Sequence, residues 1–168
     1  LINGVFDMAG VLKNKEKNAL VLMRILIGWH FLYEGITKLY NPNWTAKGYL
    51  LSSEGFLKSF FVWLASDSMI EAINFLNMFG LTFVGLGLII GFWERIAAYA
   101  GVIILLLYYL SHPAFPGLEQ VGAEGNYWIV NKNLIEASAL LVIAYLPTSS
   151  YFGVKRLFKG GTTTRPAL

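Results

Sequence analysis

The 168-residue chain has no cysteine, only two histidines and few charges. The first absence removes disulfides, thiolate nucleophiles, cysteine-ligated zinc, iron–sulfur clusters and any persulfide or dithiol chemistry carried by this chain. With His30 and His112 as the only imidazoles, no metal or haem site is expected from this chain alone. Charged residues make up 14% of the total, against ~25% in an ordinary soluble domain. That is too few to coat a small domain, whose surface is large for its volume. There is no basic stripe with interleaved aromatics, so nucleic acid is not an expected partner. Leu1–Lys17 also lacks the apolar core and small-residue cleavage site of a signal peptide, and none is expected there.

What is present is apolar. Hydrophobic residues account for 56% of the chain, and the mean hydropathy is +0.56. These values predict a single integral membrane domain over residues 1–168, with the lipid bilayer as its first partner. A soluble all-α bundle is the competing reading. It is disfavoured by the stretch from Ala72 to Trp93, which carries no charge and so has no face for water. Four apolar segments read as spans, at about 19–40, 69–93, 96–115 and 128–146. A span needs ~20 apolar residues, so the third and fourth reach full length only when extended to Phe115 and back to Trp128. Pro147 stops the fourth. The expected fold is all-α: an up-down, integral membrane four-helix bundle.

Basic residues set the expected orientation. Nine of the thirteen Lys and Arg lie on one side: Lys13, Lys15, Lys17, Arg24, Arg95, Lys155, Arg156, Lys159 and Arg165. This bias places both termini and the short 94–95 hairpin in the cytoplasm, as for a multi-pass protein of a bacterial inner membrane. The connections 41–68 and 112–131 then face outward. In the first, Phe56, Phe60, Phe61, Trp63 and Leu64 form an apolar helical face, which predicts an interfacial or re-entrant helix or a plug over the bundle. The second, HPAFPGLEQVGAEGNYW, reads as an ordered lid or turn. Trp44, Trp63, Tyr127 and Trp128 would form an outer aromatic belt. The tail 160–168 is expected to be disordered.

The most informative run is GWHFLYEGITKLY. His30, Glu34 and Lys38 lie four residues apart and therefore on one helical face. Ionisable groups inside a membrane helix default to a functional reading with a partner to be found. The ladder reads either as a proton-handling or anion-binding site or as a network pinning helix one, with Lys38 snorkelling. Asn133 and Glu136 share a face at the outer start of the fourth segment, and His112 ends the third. An up-down bundle would therefore gather Glu34, Lys38, His112, Lys132, Asn133 and Glu136, as a ligand pocket or as interhelical hydrogen bonds. With His30 of the ladder added to that group, Glu34, His30 and Glu136 are the candidate catalytic residues, and Lys38, His112, Lys132 and Asn133 the candidate substrate-binding ones. Asn74 or Asn77 could reach the same cluster, and Asn74 could instead cap a helix. Arg24 reads as a cytoplasmic anchor more readily than as a ligand. Gly28 and Gly35, seven apart, suit close helix approach, and Gly87 and Gly91 give a small-xxx-small packing signal.

Arg24 followed by IGWHFLYEGITKL, the glycine-rich second segment ending near GFWERIAA, and YWIVNKNLIEASALL together resemble the DoxX/DoxD family. GWHFLYEG with GYLLSSEG and NKNLIEA is similar to the DoxD-like small subunit of thiosulfate:quinone oxidoreductase. The resemblance implies a four-helix membrane bundle. It also implies a quinone-interacting oxidoreductase subunit that passes electrons from thiosulfate to a membrane quinone and yields tetrathionate. The alternative function is a non-catalytic accessory subunit in a larger membrane complex, and either suits a homo-oligomer or larger assembly. A small-molecule transporter or lipid-binding bundle is a third reading.

Overall fold

A computed structural model of the chain describes residues 12–118 and 126–154. Helix α1, Asn14–Leu39, begins where the Glu16 carboxylate accepts the Lys13 backbone N–H at 2.8 Å, satisfying one of the donors orphaned at a helix start. Two short helices follow, α2 at Lys47–Leu51 and α3 at Lys58–Leu64. Helix α4, Ile70–Ile90, ends at Gly91, whose φ of +69° is left-handed and whose N–H returns to the Gly87 carbonyl. Gly91 is therefore a helix stop packed against the Arg24 side chain and Gly153, while Gly87 packs against Ala97. Helix α5, Glu94–Ser111, is followed by a two-residue hairpin, β1 Asn126–Tyr127 and β2 Val130–Asn131, and then by α6, Lys132–Tyr145.

The four long helices run up and down as expected. Helices α1, α4 and α5 are each long and apolar enough to cross a membrane. Two span estimates change. Helix α5 stops at Ser111 and does not continue to Phe115, because Pro113 disfavours helical backbone at the residue before it. Helix α6 starts at Lys132, since 128–131 belong to the hairpin, where Trp128 adopts φ +59°. Asn131 caps α6 by accepting the Leu134 N–H at 3.1 Å. Its 14 residues rise ~21 Å, short of a ~30 Å hydrocarbon core. The nine-residue tail 160–168, together with Lys155, Arg156, Lys159 and Arg165, lies outside the described residues.

Helix α1 packs on α4, α4 on α5 and α5 on α6, and α1 meets α6 more lightly. The core between them is Phe31, Leu81, Val84, Leu88, Ala98, Leu140 and their neighbours. Apolar side chains such as Leu26, Phe75, Phe83, Ile103 and Ile135 point outward from every long helix, as a lipid solvent requires. A second small core lies over one end. There Leu50 of α2 and Phe61 and Ala65 around α3 pack with Trp44, Ile70 and Leu110. The loop 41–68 thus sits on the bundle while leaving Phe56, Phe60 and Trp63 exposed. This is the loop end, and Gly91–Trp93 mark the hairpin end.

Lipid tails are as apolar as leucine, so helices in a bilayer adhere through close packing. A Cβ added to Gly85 would collide with the backbone of Leu32, and one on Gly35 with the backbone of Thr82. Backbones of α1 and α4 therefore touch. Gly85→Ala should destabilise the detergent-solubilised protein by about 1–3 kcal/mol through overpacking. Gly48→Ala, whose new methyl would meet nothing within 4 Å, should melt at or above wild type. Equal melting temperatures for Gly85→Ala and wild type would show that the two helices do not meet this closely.

Candidate functional site

The glycine seam fixes the rotation of α1. Gly28, Phe31, Leu32 and Gly35 are committed to the core, which leaves His30, Glu34 and Lys38 along the flank that faces α6. From the second turn of α6, Glu136 Oε1 accepts from His30 Nδ1 at 2.8 Å. Lys38 Nζ forms an ion pair with the Glu34 carboxylate, donates to the Glu34 carbonyl at 3.2 Å and lies 5.6 Å from the Trp44 ring centroid. Glu34 also feels the charges of His30 and Lys132. Five of the seven candidate residues, His30, Glu34, Lys38, Lys132 and Glu136, thus form one cluster near the loop end. It is half open. The His30 and Glu34 side chains are 48% and 46% exposed, whereas those of Glu136 and Lys38 are 15% exposed.

The other two candidates stand apart. His112 turns to the loop over the bundle. Its Nε2 is 3.2 Å from Ser52 Oγ, its Nδ1 3.1 Å from Ser111 Oγ, and its ring 4.3 Å from that of Tyr49. Burial depresses the His112 pKa, while Ser52 and the charge of Glu54 act in the opposite sense. Burial likewise pushes the Tyr49 hydroxyl up to about 12. Asn133 is half-buried and has no hydrogen-bond partner in the cluster among the described residues. Asn74 neither caps a helix nor joins the site. Its Oδ1 accepts the Ala46 N–H at 2.8 Å and ties loop 41–68 to α4. Among the described residues no three His, Asp or Glu side chains converge as a metal site would need.

Two polar pairings, Arg24 with Glu94 and Asn77 with Tyr108, escape a reading of the sequence. Arg24 is fully buried, not an anchor reaching for headgroups. Its Nη1 lies 3.4 Å from Glu94 Oε2 and donates to Thr148 Oγ1 at 3.0 Å, and Nη2 donates to the Phe152 carbonyl at 2.8 Å. Glu94 in turn accepts the N–H groups of Thr148 and Ser149 at 2.9 and 2.6 Å. One carboxylate thus joins α1, the hairpin and the segment after α6. A signal for it exists: an intramembrane arginine demands a carboxylate, and Glu94 is the sole acid between Glu71 and Glu119. The second pairing is at the loop end, where Asn77 Nδ2 of α4 donates to the Tyr108 hydroxyl of α5 at 2.7 Å, and Tyr108 feels the charge of Glu34.

Fold and site together define a polytopic helical membrane protein with a polar cluster opening between two of its helices. Residues 19–113, more than half of the chain, match the DoxX family, and the chain belongs to it. No curated protein and no solved structure matches the chain.

Arg24→Met leaves Glu94 buried without its cation and should cost about 3–5 kcal/mol of stability, read by thermal or denaturant unfolding in detergent. Unfolding unchanged from wild type would mean that the pair closes nothing. His112 predicts a pH effect of definite sign. Its depressed native pKa means that the unfolded chain binds the proton more tightly. Stability is therefore fully present above the ordinary histidine value of ~6.5 and declines as pH falls through the lower native value. His112→Gln should flatten that part of the wild-type melting-temperature profile. A profile identical to wild type would remove His112 as its source.

Proposed function

We propose that this DoxX-family protein is a quinone-interacting membrane oxidoreductase subunit, with the quinone as a lipid-soluble substrate beside His30. One observation carries the reading: a polar pair, His30–Glu136, held between two helices with the imidazole half exposed on the flank of an apolar helix long enough to cross a membrane, where an ionisable group is expensive. A flat apolar ring with carbonyl oxygens suits that seam, since it covers the exposed surface and accepts hydrogen bonds.

The roles follow from the geometry. Glu136 accepts from Nδ1, which orients the imidazole and leaves Nε2 to meet the ligand. A protonated ring donates Nε2–H to a quinone carbonyl. After giving up that proton, Nε2 accepts from the quinol hydroxyl. Reduction of a quinone takes two electrons and two protons, so an acid–base relay is needed beside it. Glu34 lies one turn away, with Lys38 and Lys132 balancing its charge. The electron source consistent with the DoxD-like sequence features is a pair of thiosulfate anions. Each loses one electron, the two join through a new S–S bond as tetrathionate, and the quinone becomes quinol with two protons taken up. Lys38, Lys132 and the amide of Asn133 would attract the anion. The setting that goes with this reading is a bacterial inner membrane, with both termini cytoplasmic and the chain in a homo-oligomer or larger complex.

The exposure of His30 and Glu34 also suits cover by a neighbouring subunit, which is the accessory-subunit reading. Titration of the protein in lipid nanodiscs with duroquinone, followed by tryptophan fluorescence, separates the two. Saturable binding should weaken about tenfold or more in His30→Phe and in Glu136→Gln, the loss of one charge-assisted hydrogen bond. Absence of saturable binding in wild type, with those substitutions disrupting oligomer or complex formation, would replace the substrate-binding reading with the accessory one.

A further inference from the structure

A quinone carries two carbonyl oxygens on opposite sides of its ring, so a site that holds it in one orientation needs two polar anchors. His30 supplies one. Glu34 interacts electrostatically with both His30 and Tyr108, which places the two groups in the neighbourhood of one carboxylate at the loop end. The Tyr108 hydroxyl oxygen already accepts from Asn77 Nδ2 at 2.7 Å, and its own proton has no acceptor among the described residues. Asn77 is also incomplete, because its Oδ1 is buried without a partner. Flipping the amide does not repair this. Oδ1 would then take the Tyr108 proton and the buried NH2 would be left over. Either orientation leaves one polar group of the pair unpaired inside a lipid-embedded bundle, where such a group costs free energy.

The Tyr108 backbone is fixed independently, since its carbonyl accepts from the Tyr49 hydroxyl at 3.3 Å and the two rings meet edge to face at 5.8 Å. The ring is therefore held in place, and Asn77 sets the orientation of its hydroxyl. A phenol and a primary amide can each donate or accept. They can hold a carbonyl in the oxidised ligand and a hydroxyl in the reduced one.

On the quinone reading above, we propose that Tyr108 is the second anchor, hydrogen-bonded to the carbonyl remote from His30, with Asn77 as the positioning residue that holds the Tyr108 hydroxyl. The site then spans α1, α4, α5 and α6 around Glu34, and a ligand bound there is gripped at both ends of its ring.

The test is infrared difference spectroscopy of duroquinone bound to the protein in nanodiscs, paired with affinities for duroquinone and for durene, the same methylated ring without carbonyls. Wild type should give two downshifted, unequal carbonyl bands. In Tyr108→Phe one band should return to the free-quinone frequency while the other stays, and the duroquinone-over-durene preference should fall about tenfold. Asn77→Leu, which keeps the hydroxyl but frees its orientation, should broaden that same band and lower the preference by a smaller factor. Two bands and a preference unchanged in both variants, with His30→Phe still abolishing one band, would overturn the second anchor and leave the quinone reading standing. A lowered melting temperature with the preference intact would do the same, by reducing the Asn77–Tyr108 bond to a structural tie. No downshifted band in wild type would overturn both readings.

Discussion

The arrangement rests on the contact of α1 with α4, where glycine lets two backbones touch. Gly85 lies against the Leu32 backbone and Gly35 against Thr82, positions where even a methyl group has no room. Without a hydrophobic force between helices in lipid, such a contact sets helix rotation as much as adhesion. Once Gly28, Leu32 and Gly35 are buried, the helical repeat places His30, Glu34 and Lys38 on the flank toward α6. The site is a consequence of the seam: a helix turned by one residue would bring a different set of side chains to Glu136.

The two ends of the bundle treat buried polarity in opposite ways. At the hairpin end, Arg24 and Glu94 exchange charge, and backbone donors of Thr148 and Ser149 complete the carboxylate. That network is buried. It ties α1 to the segment beyond α6 where direct packing between those helices is light. At the loop end, the Glu34 carboxylate and the His30 imidazole are half open, and the Asn77–Tyr108 pair has unused hydrogen-bonding capacity. Both ends hold an ion pair on the same helix, so charge alone does not separate a brace from a site. Exposure does: the Arg24 and Glu94 side chains are 0% and 1% exposed, whereas those of His30 and Glu34 are 48% and 46% exposed and can be reached by a ligand.

Much of this is legible in the sequence. The helical repeat gives the His30–Glu34–Lys38 face, the glycine spacing gives a close helix contact, and an up-down order of four helices brings Glu136 to His30. What cannot be read is local. His112 follows α5 directly, and the spans suggest that it joins the cluster, but Pro113 ends the helix and the ring finds Tyr49 and Ser52 in a loop whose path no periodicity encodes. The same proline and the 126–131 hairpin shorten two spans that a length criterion stretches. Arg24 departs from a headgroup anchor because helix rotation turns its side chain inward toward Glu94, where snorkelling is closed to it. Asn77 is legible as a group that could reach the cluster, but Tyr108 gives no signal, since a phenol in an apolar run is ordinary until its partner is seen.

The choice of residue types at the two ends carries the last step. Arginine only donates, and a carboxylate that has lost its proton only accepts, so the Arg24–Glu94 network has a fixed direction and holds one structure. Histidine, tyrosine and asparagine can do both. A ligand that changes from acceptor to donor as it is reduced would lose its hydrogen bonds to one-way partners and keep them with two-way ones. On the proposed reading, His30, Tyr108 and Asn77 would suit a molecule that alternates between carbonyl and hydroxyl, while the fixed donors Lys38 and Lys132 would serve the anion that supplies the electrons.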